Sequence, residues 1–224
     1  MALSLYRALI RPTKLLSNVV FILAGLVLLF GIVMSLRARQ ANNQAIHQAL
    51  ASPAAPQTIK PTPSAFNSYQ VPALDPRYIS IPKINVKAIV TAAGLTSNGA
   101  IGTPNNVFNT AWYNRSSKPG QPGAVLIDGH VSSWTTNGVF YNLRMLSVGD
   151  SIQIERGDGT IITYTVAKVQ TYTAEAINMA KILAPIDPAK PGLNLITCAG
   201  DVIKGTNEFD KRIVVYSTQT SVSP

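Results

Sequence analysis

The sequence predicts an all-β fold: a closed or nearly closed barrel of seven or eight strands with one or two short helices, preceded by one transmembrane helix. Three observations lead there. From Arg77 onward the 224-residue chain breaks into short apolar or alternating runs separated by Gly, Pro and Asp turns. Leu15 to Leu36 is a 22-residue stretch without a charge. Between them lies a Pro-, Ala- and Ser-rich stretch with little to bury.

The charge-free stretch comes first. As a helix it would span roughly 33 Å, against about 30 Å for a bilayer core. A buried core helix is seldom apolar on every side for so long. A cleaved signal peptide is the stronger competitor, because Arg7, Arg11 and Lys14 resemble its basic leader and Ala49-Leu50-Ala51 fits its cleavage pattern. However, the stretch exceeds the usual h-region of about 7–15 residues. The cleavage pattern also lies beyond Arg37 and Arg39. An uncleaved anchor is therefore expected over 15–36, in contact with membrane lipid. The small excess of basic residues before it places 1–14 in the cytoplasm and the bulk of the chain outside.

Residues 37–75 read as an extended linker stiffened by Pro53, Pro56, Pro61, Pro63 and Pro72. His47 falls here and is expected to be silent. The strands follow. Tyr78–Ile81 alternates, and Val86–Ala93 is a second run. Ala124–Ile127 is bounded by Pro122-Gly123 and Asp128-Gly129. Ser151–Glu155 and Thr160–Val166 flank Gly157-Asp158-Gly159 and should form a hairpin. Leu193–Cys198 and Arg212–Thr218 close the set. Phe140–Leu146 and Ala174–Leu183 are the two helical candidates, the second weakly amphipathic.

The formal charge of +9 does not indicate nucleic-acid binding. Residues 1–74 hold six Lys/Arg and no Asp/Glu, whereas residues 75–224 hold thirteen against ten. The excess thus flanks the apolar stretch, where lipid head groups would meet it. No basic stripe with interleaved aromatics follows. With two histidines, one cysteine and no glycine-rich phosphate loop, neither metal nor cofactor is expected.

Chemistry concentrates on the single cysteine, Cys198, which ends an apolar run and is followed by Ala199-Gly200. A lone thiol in an outward-facing domain is either a buried inert group or one kept for reactivity. His130, just past the Ala124–Ile127 run, is its one plausible base. Arg212, heading Ile213-Val214-Val215-Tyr216, is a nearby cation, although it also suits a solvated pair with Asp210 or Glu208. Asp128 either shapes the turn before His130 or biases its charge.

These residues resemble the sortase family of bacterial surface transpeptidases. Asn194-Leu195-Ile196-Thr197-Cys198 is similar to that family's Thr-Leu-x-Thr-Cys strand end, with Asn in the first position. Gly129-His130 and Arg212 fall where the family places its Gly-His and its strand-heading Arg. Ile81-Pro82-Lys83-Ile84, Ala111-Trp112-Tyr113 and Val139-Phe140-Tyr141-Asn142-Leu143 resemble flanking segments. The pattern is closest to the short class F or class E/D-like members and covers about residues 78–218.

The resemblance implies a sortase-like barrel over 76–220 and a cysteine transpeptidase at the cell surface. It implies Cys198 as nucleophile, His130 as general acid/base, Arg212 as oxyanion or substrate stabiliser, and Thr197 as a substrate contact. Substrates would be proteins bearing an LPXTG-like sorting signal, and the acceptor an amine of the cell wall or of a pilin. A cysteine peptidase on the same scaffold and a non-catalytic anchored binding domain remain alternatives.

Overall fold

The structure, a computed structural model, describes residues 31, 33, 34, 37, 57–97 and 99–224. The chain divides into two units, 1–53 and 54–224. Most of the expected anchor, and the linker up to residue 56, lie outside the described residues. Among the described residues no helix is long and apolar enough to cross a membrane.

Eight strands close into a barrel: β1 (Pro76–Ile81), β2 (Val86–Ala93), β3 (Thr110–Tyr113), β4 (Ala124–Gly129), β5 (Ser151–Arg156), β6 (Ile161–Thr173), β7 (Gly192–Val202) and β8 (Phe209–Ser223). Their order around the barrel is β1-β2-β3-β4-β7-β8-β6-β5, and β5 returns to β1. The β5–β6 hairpin forms as the Gly-Asp-Gly turn predicts, pairing Ser151 with Thr165 and Glu155 with Ile161. Seven strands were legible as runs in the sequence. The eighth, β3, has only four residues, all buried, and sits between β2 and β4. A strand so short shows no alternation to read.

Alternation sorts the side chains into two apolar layers. Ile79, Ile81, Ile127, Ile152, Ile154, Leu193, Leu195 and Val215 point into the barrel with Phe140 and Tyr164. Leu126, Val214 and Tyr216 point outward, where Tyr113 and Ile182 join them. Side chains two apart on a strand share a face, so each strand end inherits its facing from this pattern.

The helical candidates shrink. Phe140–Leu146 yields one 3-10 turn, Leu143–Met145. Ala174–Leu183 yields a 3-10 turn, Ala174–Ala176, and the five-residue α2, Met179–Leu183. Conversely, the distal end of the expected linker is folded. Pro63–Ser68 forms α1, capped by the Thr62 hydroxyl, which accepts from Ala65 N at 3.2 Å. Pro at the first helical turn, where a missing N–H costs nothing, made this legible in principle. The segment packs on the barrel. The Tyr69 hydroxyl donates to Val90 O at 2.9 Å, the Tyr78 hydroxyl donates to Phe66 O, and the Phe66 and Tyr78 rings stack.

Asn194, the departure from the family's first Thr, has a structural use. It is fully buried, and its amide donates to Ile182 O at 2.7 Å and Ala184 O at 2.9 Å. It thereby ties the end of α2 to the outer face of β7. Removing the amide leaves one buried and one part-buried carbonyl without that donor. We expect Asn194→Ala to cost about 1–3 kcal/mol and to open residues 177–191 to limited proteolysis before the barrel melts. Protease resistance equal to that of the parent protein would argue against this tie.

Candidate active site

Parallel pairing of β4 with β7 creates the site. Parallel neighbours end at the same rim. The register runs from Ala124↔Gly192 to Asp128↔Ile196. It continues through a side chain: the Thr197 hydroxyl donates to Gly129 O at 2.7 Å. One residue further along each strand are His130 and Cys198. On the other side β7 and β8 pair antiparallel, with Cys198 directly opposite Arg212. The three residues singled out in the sequence therefore lie on three neighbouring strands, His130 one residue past the end of β4 and Cys198 and Arg212 opposite each other within β7 and β8. They stand two residues from Asp128, Ile196 and Val214 respectively, on the outward face that Leu126 shares.

Cys198 is half-buried and unbonded to sulfur. Burial pushes its thiol above the usual range; Arg212 pulls it down, and Asp128 and Glu208 push it further up. It lines a cleft of about 390 Å³ with Phe140, Arg144, Thr171, Phe209 and Lys211. A larger groove of about 520 Å³, lined by Lys60, Phe66, Ile84, Lys87 and Tyr141, contains none of the predicted site residues.

The imidazole and guanidinium are each held by other partners. His130 Nε2 lies 2.8 Å from Pro104 O. A carbonyl only accepts, so Nε2 carries the hydrogen. Among the described residues no hydrogen bond joins His130 to Cys198. Arg212 Nη1 donates to Phe209 O at 2.7 Å and Lys211 O at 2.9 Å, and Nη2 donates to Glu208 Oε2 at 3.3 Å. Of the two acidic partners the sequence offered this arginine, Glu208 is the one that pairs. The Glu208 side chain is 70% exposed, so that pair contributes little and exchanges easily.

Thr197 is 1% exposed, and its hydroxyl is committed to the β4–β7 staple. Two glycines shape the rim. A Cβ on Gly129 would lie 2.5 Å from Phe140 Cδ2, a ring with no exposure that cannot move aside. Gly200 has φ +80°, and a Cβ there would collide with Asp210 Oδ1, the atom that accepts from Asp201 N at 2.8 Å. This bend lets β7 pass its bulge beyond Ala199 and lead into the turn toward β8.

Asp128 is the residue that sequence reading only half saw. Its Oδ2 is sealed from solvent and has no hydrogen-bond partner. Burial pushes its carboxyl up to about 7, opposed by the Gly129 backbone and by Arg212. The available signal was its position: Leu126, Asp128 and His130 share one face of β4, so an ionisable group stood where an apolar one was due.

A family model described as "Sortase domain" matches residues 79–220. Sortase A from Corynebacterium diphtheriae, in a lid mutant, is 23% identical with a TM-score of 0.52, over 70% of this chain and 75% of that one. Sortase C from Streptococcus pneumoniae is 18% identical with a TM-score of 0.52, over 75% of this chain and 77% of that one. At these identities the likeness is one of fold. No curated protein matches the chain.

The buried carboxyl makes stability depend on pH. Its folded pKa, about 7, exceeds the ordinary 3.8. The unfolded chain therefore releases this proton first, and the contribution is intact below about pH 4 and lost as pH rises through 7. At one pKa unit per 1.36 kcal/mol, the ionised carboxylate costs at most on the order of 4 kcal/mol at pH 8. Asp128→Asn should therefore melt higher than the parent at pH 8, with the gap closing toward pH 4. A gap independent of pH would contradict the burial of this carboxyl.

Proposed function

This chain belongs to the sortase family of cysteine transpeptidases, and from that premise we propose that it cleaves a sorting-signal peptide through a Cys198 thioester and passes the acyl group to an amine. The observation that carries this reading is the register: the one cysteine of the chain stands directly across from Arg212, at the rim where β4 delivers His130.

Each role follows from what the group can do there. The thiolate is the nucleophile; burial keeps most of Cys198 protonated at neutral pH, so the thiol first gives its proton to the free ring nitrogen of His130, leaving thiolate and imidazolium. Arg212 is the cation that favours the thiolate. The Cys198 thiolate attacks the scissile carbonyl carbon, and the carbonyl oxygen gains the charge. The Arg212 guanidinium, released from the solvent-screened Glu208, stabilises that oxyanion with fixed donors. As the tetrahedral species collapses, the C–N bond breaks and His130 gives its proton to the departing amine. The thioester remains. An incoming amine attacks it, loses its proton to His130 and expels the Cys198 thiolate. His130 must leave Pro104 O to do this, so substrate binding exchanges one hydrogen bond for another. Thr197 serves substrate binding through its staple, which keeps β7 beside β4.

Sortases are typically associated with the cell surface. We propose the same for this chain: a single-pass protein anchored in lipid by residues 15–36, with 1–14 cytoplasmic and the 76–220 catalytic domain outside. Its partners would be proteins with an LPXTG-like signal and an amine of the cell wall or of a pilin. Streptococcus pneumoniae Sortase C, whose structure concerns pilin substrate specificity, offers one precedent for a pilin substrate. Selection among signals would rest with the segments around 95–120 and 170–192, which flank the outward face.

A peptide library incubated with the enzyme and a primary amine tests this reading. Mass spectrometry should show an acyl adduct on Cys198 and an amide product. Cys198→Ala should abolish both, whereas His130→Ala and Arg212→Ala should each slow acylation by on the order of 10²–10³. Arg212→Lys should not restore the rate, because a point charge lacks the paired donors. Hydrolysis alone, with amine in excess, would replace transpeptidation by peptidase activity.

A further inference from the structure

We propose that Asp128 is a positioning residue of this active site: its carboxyl competes with the Cys198 thiolate for Arg212 and so sets how much of the nucleophile is ionised. The inference rests on the reading of Cys198 as nucleophile, and on three observations beyond it.

The first is placement. Asp128 pairs with Ile196, and Ile196 pairs with Val214, all on the outward face. His130, Cys198 and Arg212 are each two residues away along the same three strands. Asp128 therefore lies one pleat beneath the row that carries the chemistry.

The second is the missing partner. Buried polar atoms are nearly always hydrogen-bonded, and an ionisable one that is not is found preferentially at functional sites. Asp128 Oδ2 is sealed and unpaired. On β3 the residue opposite it is buried Ala111, which carries no charge. On its own strand the next outward group is His130. The nearby charges it is coupled to through space are Cys198 on β7 and Arg212 on β8, the latter also paired with Glu208 from the preceding turn. An asparagine of the same shape would avoid the cost of an ionised carboxyl here.

The third is mutual influence. Arg212 favours the charged form of both Asp128 and Cys198, while Asp128 disfavours the charged form of Cys198. One guanidinium thus faces two acids that oppose each other's ionisation. The carboxyl changes charge near neutrality, at about 7. Below that point it is neutral and leaves Arg212 to the thiolate. Above it the carboxylate draws on the same cation and holds the thiol protonated to higher pH. Two interacting acids of this kind titrate as a pair.

Thiol titration tests this without any sorting substrate. The rate of Cys198 alkylation by iodoacetamide is measured against pH in the intact protein, in Asp128→Asn and in Asp128→Ser, with melting curves confirming the native fold. Removing the carboxylate should move the thiol titration to lower pH and raise alkylation at neutral pH several-fold in both variants. The pH profile of acylation should shift the same way. Carbon-13 NMR of aspartate carboxyls in the unmutated protein should show one group titrating near neutrality. Thiol titrations that superimpose on the parent, or no carboxyl above the ordinary range, would overturn the assignment. Absence of an acyl adduct on Cys198 would instead overturn the transpeptidase reading and leave the thiol titration standing.

Discussion

The site depends on one backbone constraint: β4 and β7 run parallel, side by side, in an unbroken register. Parallel neighbours cannot be joined by a tight turn, so the chain travels through β5 and β6 before it returns. That detour brings two strand ends to one rim, although 68 residues separate their partners. The Thr197–Gly129 hydrogen bond carries the register one step past the last paired residues. Because side chains alternate, a slip of one residue would turn Cys198 into the barrel and Thr197 to the outward face. The staple therefore protects the facing of Cys198, the proposed nucleophile, as well as the stability of the sheet.

Around that rim the ionisable groups are held in a tense arrangement. Burial opposes the charge of both Cys198 and Asp128, and a single guanidinium favours both. His130 is satisfied by Pro104 O, and Arg212 by two carbonyls and Glu208. None of these contacts is a strong buried ion pair, and the one charged pair is largely exposed. The site is thus assembled in position but with its donors engaged, a resting state consistent with the exchange of partners proposed for peptide binding.

The supports of the site are equally physical. Gly129 leaves room for the Phe140 ring, and Gly200 takes a backbone conformation that a side chain would strain. Asn194 uses two hydrogen bonds to keep the segment after β6 against the outer face of β7. That segment covers the apolar patch of Leu126, Val214 and Tyr216 on the outer face of the barrel.

Much of this was legible in the sequence, and the parts that were not share a cause. Seven strands, the β5–β6 hairpin and the candidate triad followed from alternation, turn residues and the scarcity of Cys and His, all of which are local properties of the chain. Strand β3 escaped because its four residues are buried on both sides and show no period. Helix α1 escaped because proline-rich composition outweighed a single capping threonine. The burial of Asp128, the partners of Arg212 and the use of Asn194 depend on which strands become neighbours. Local pattern tells a strand which of its faces is apolar, but only closure of the barrel decides what stands across from it.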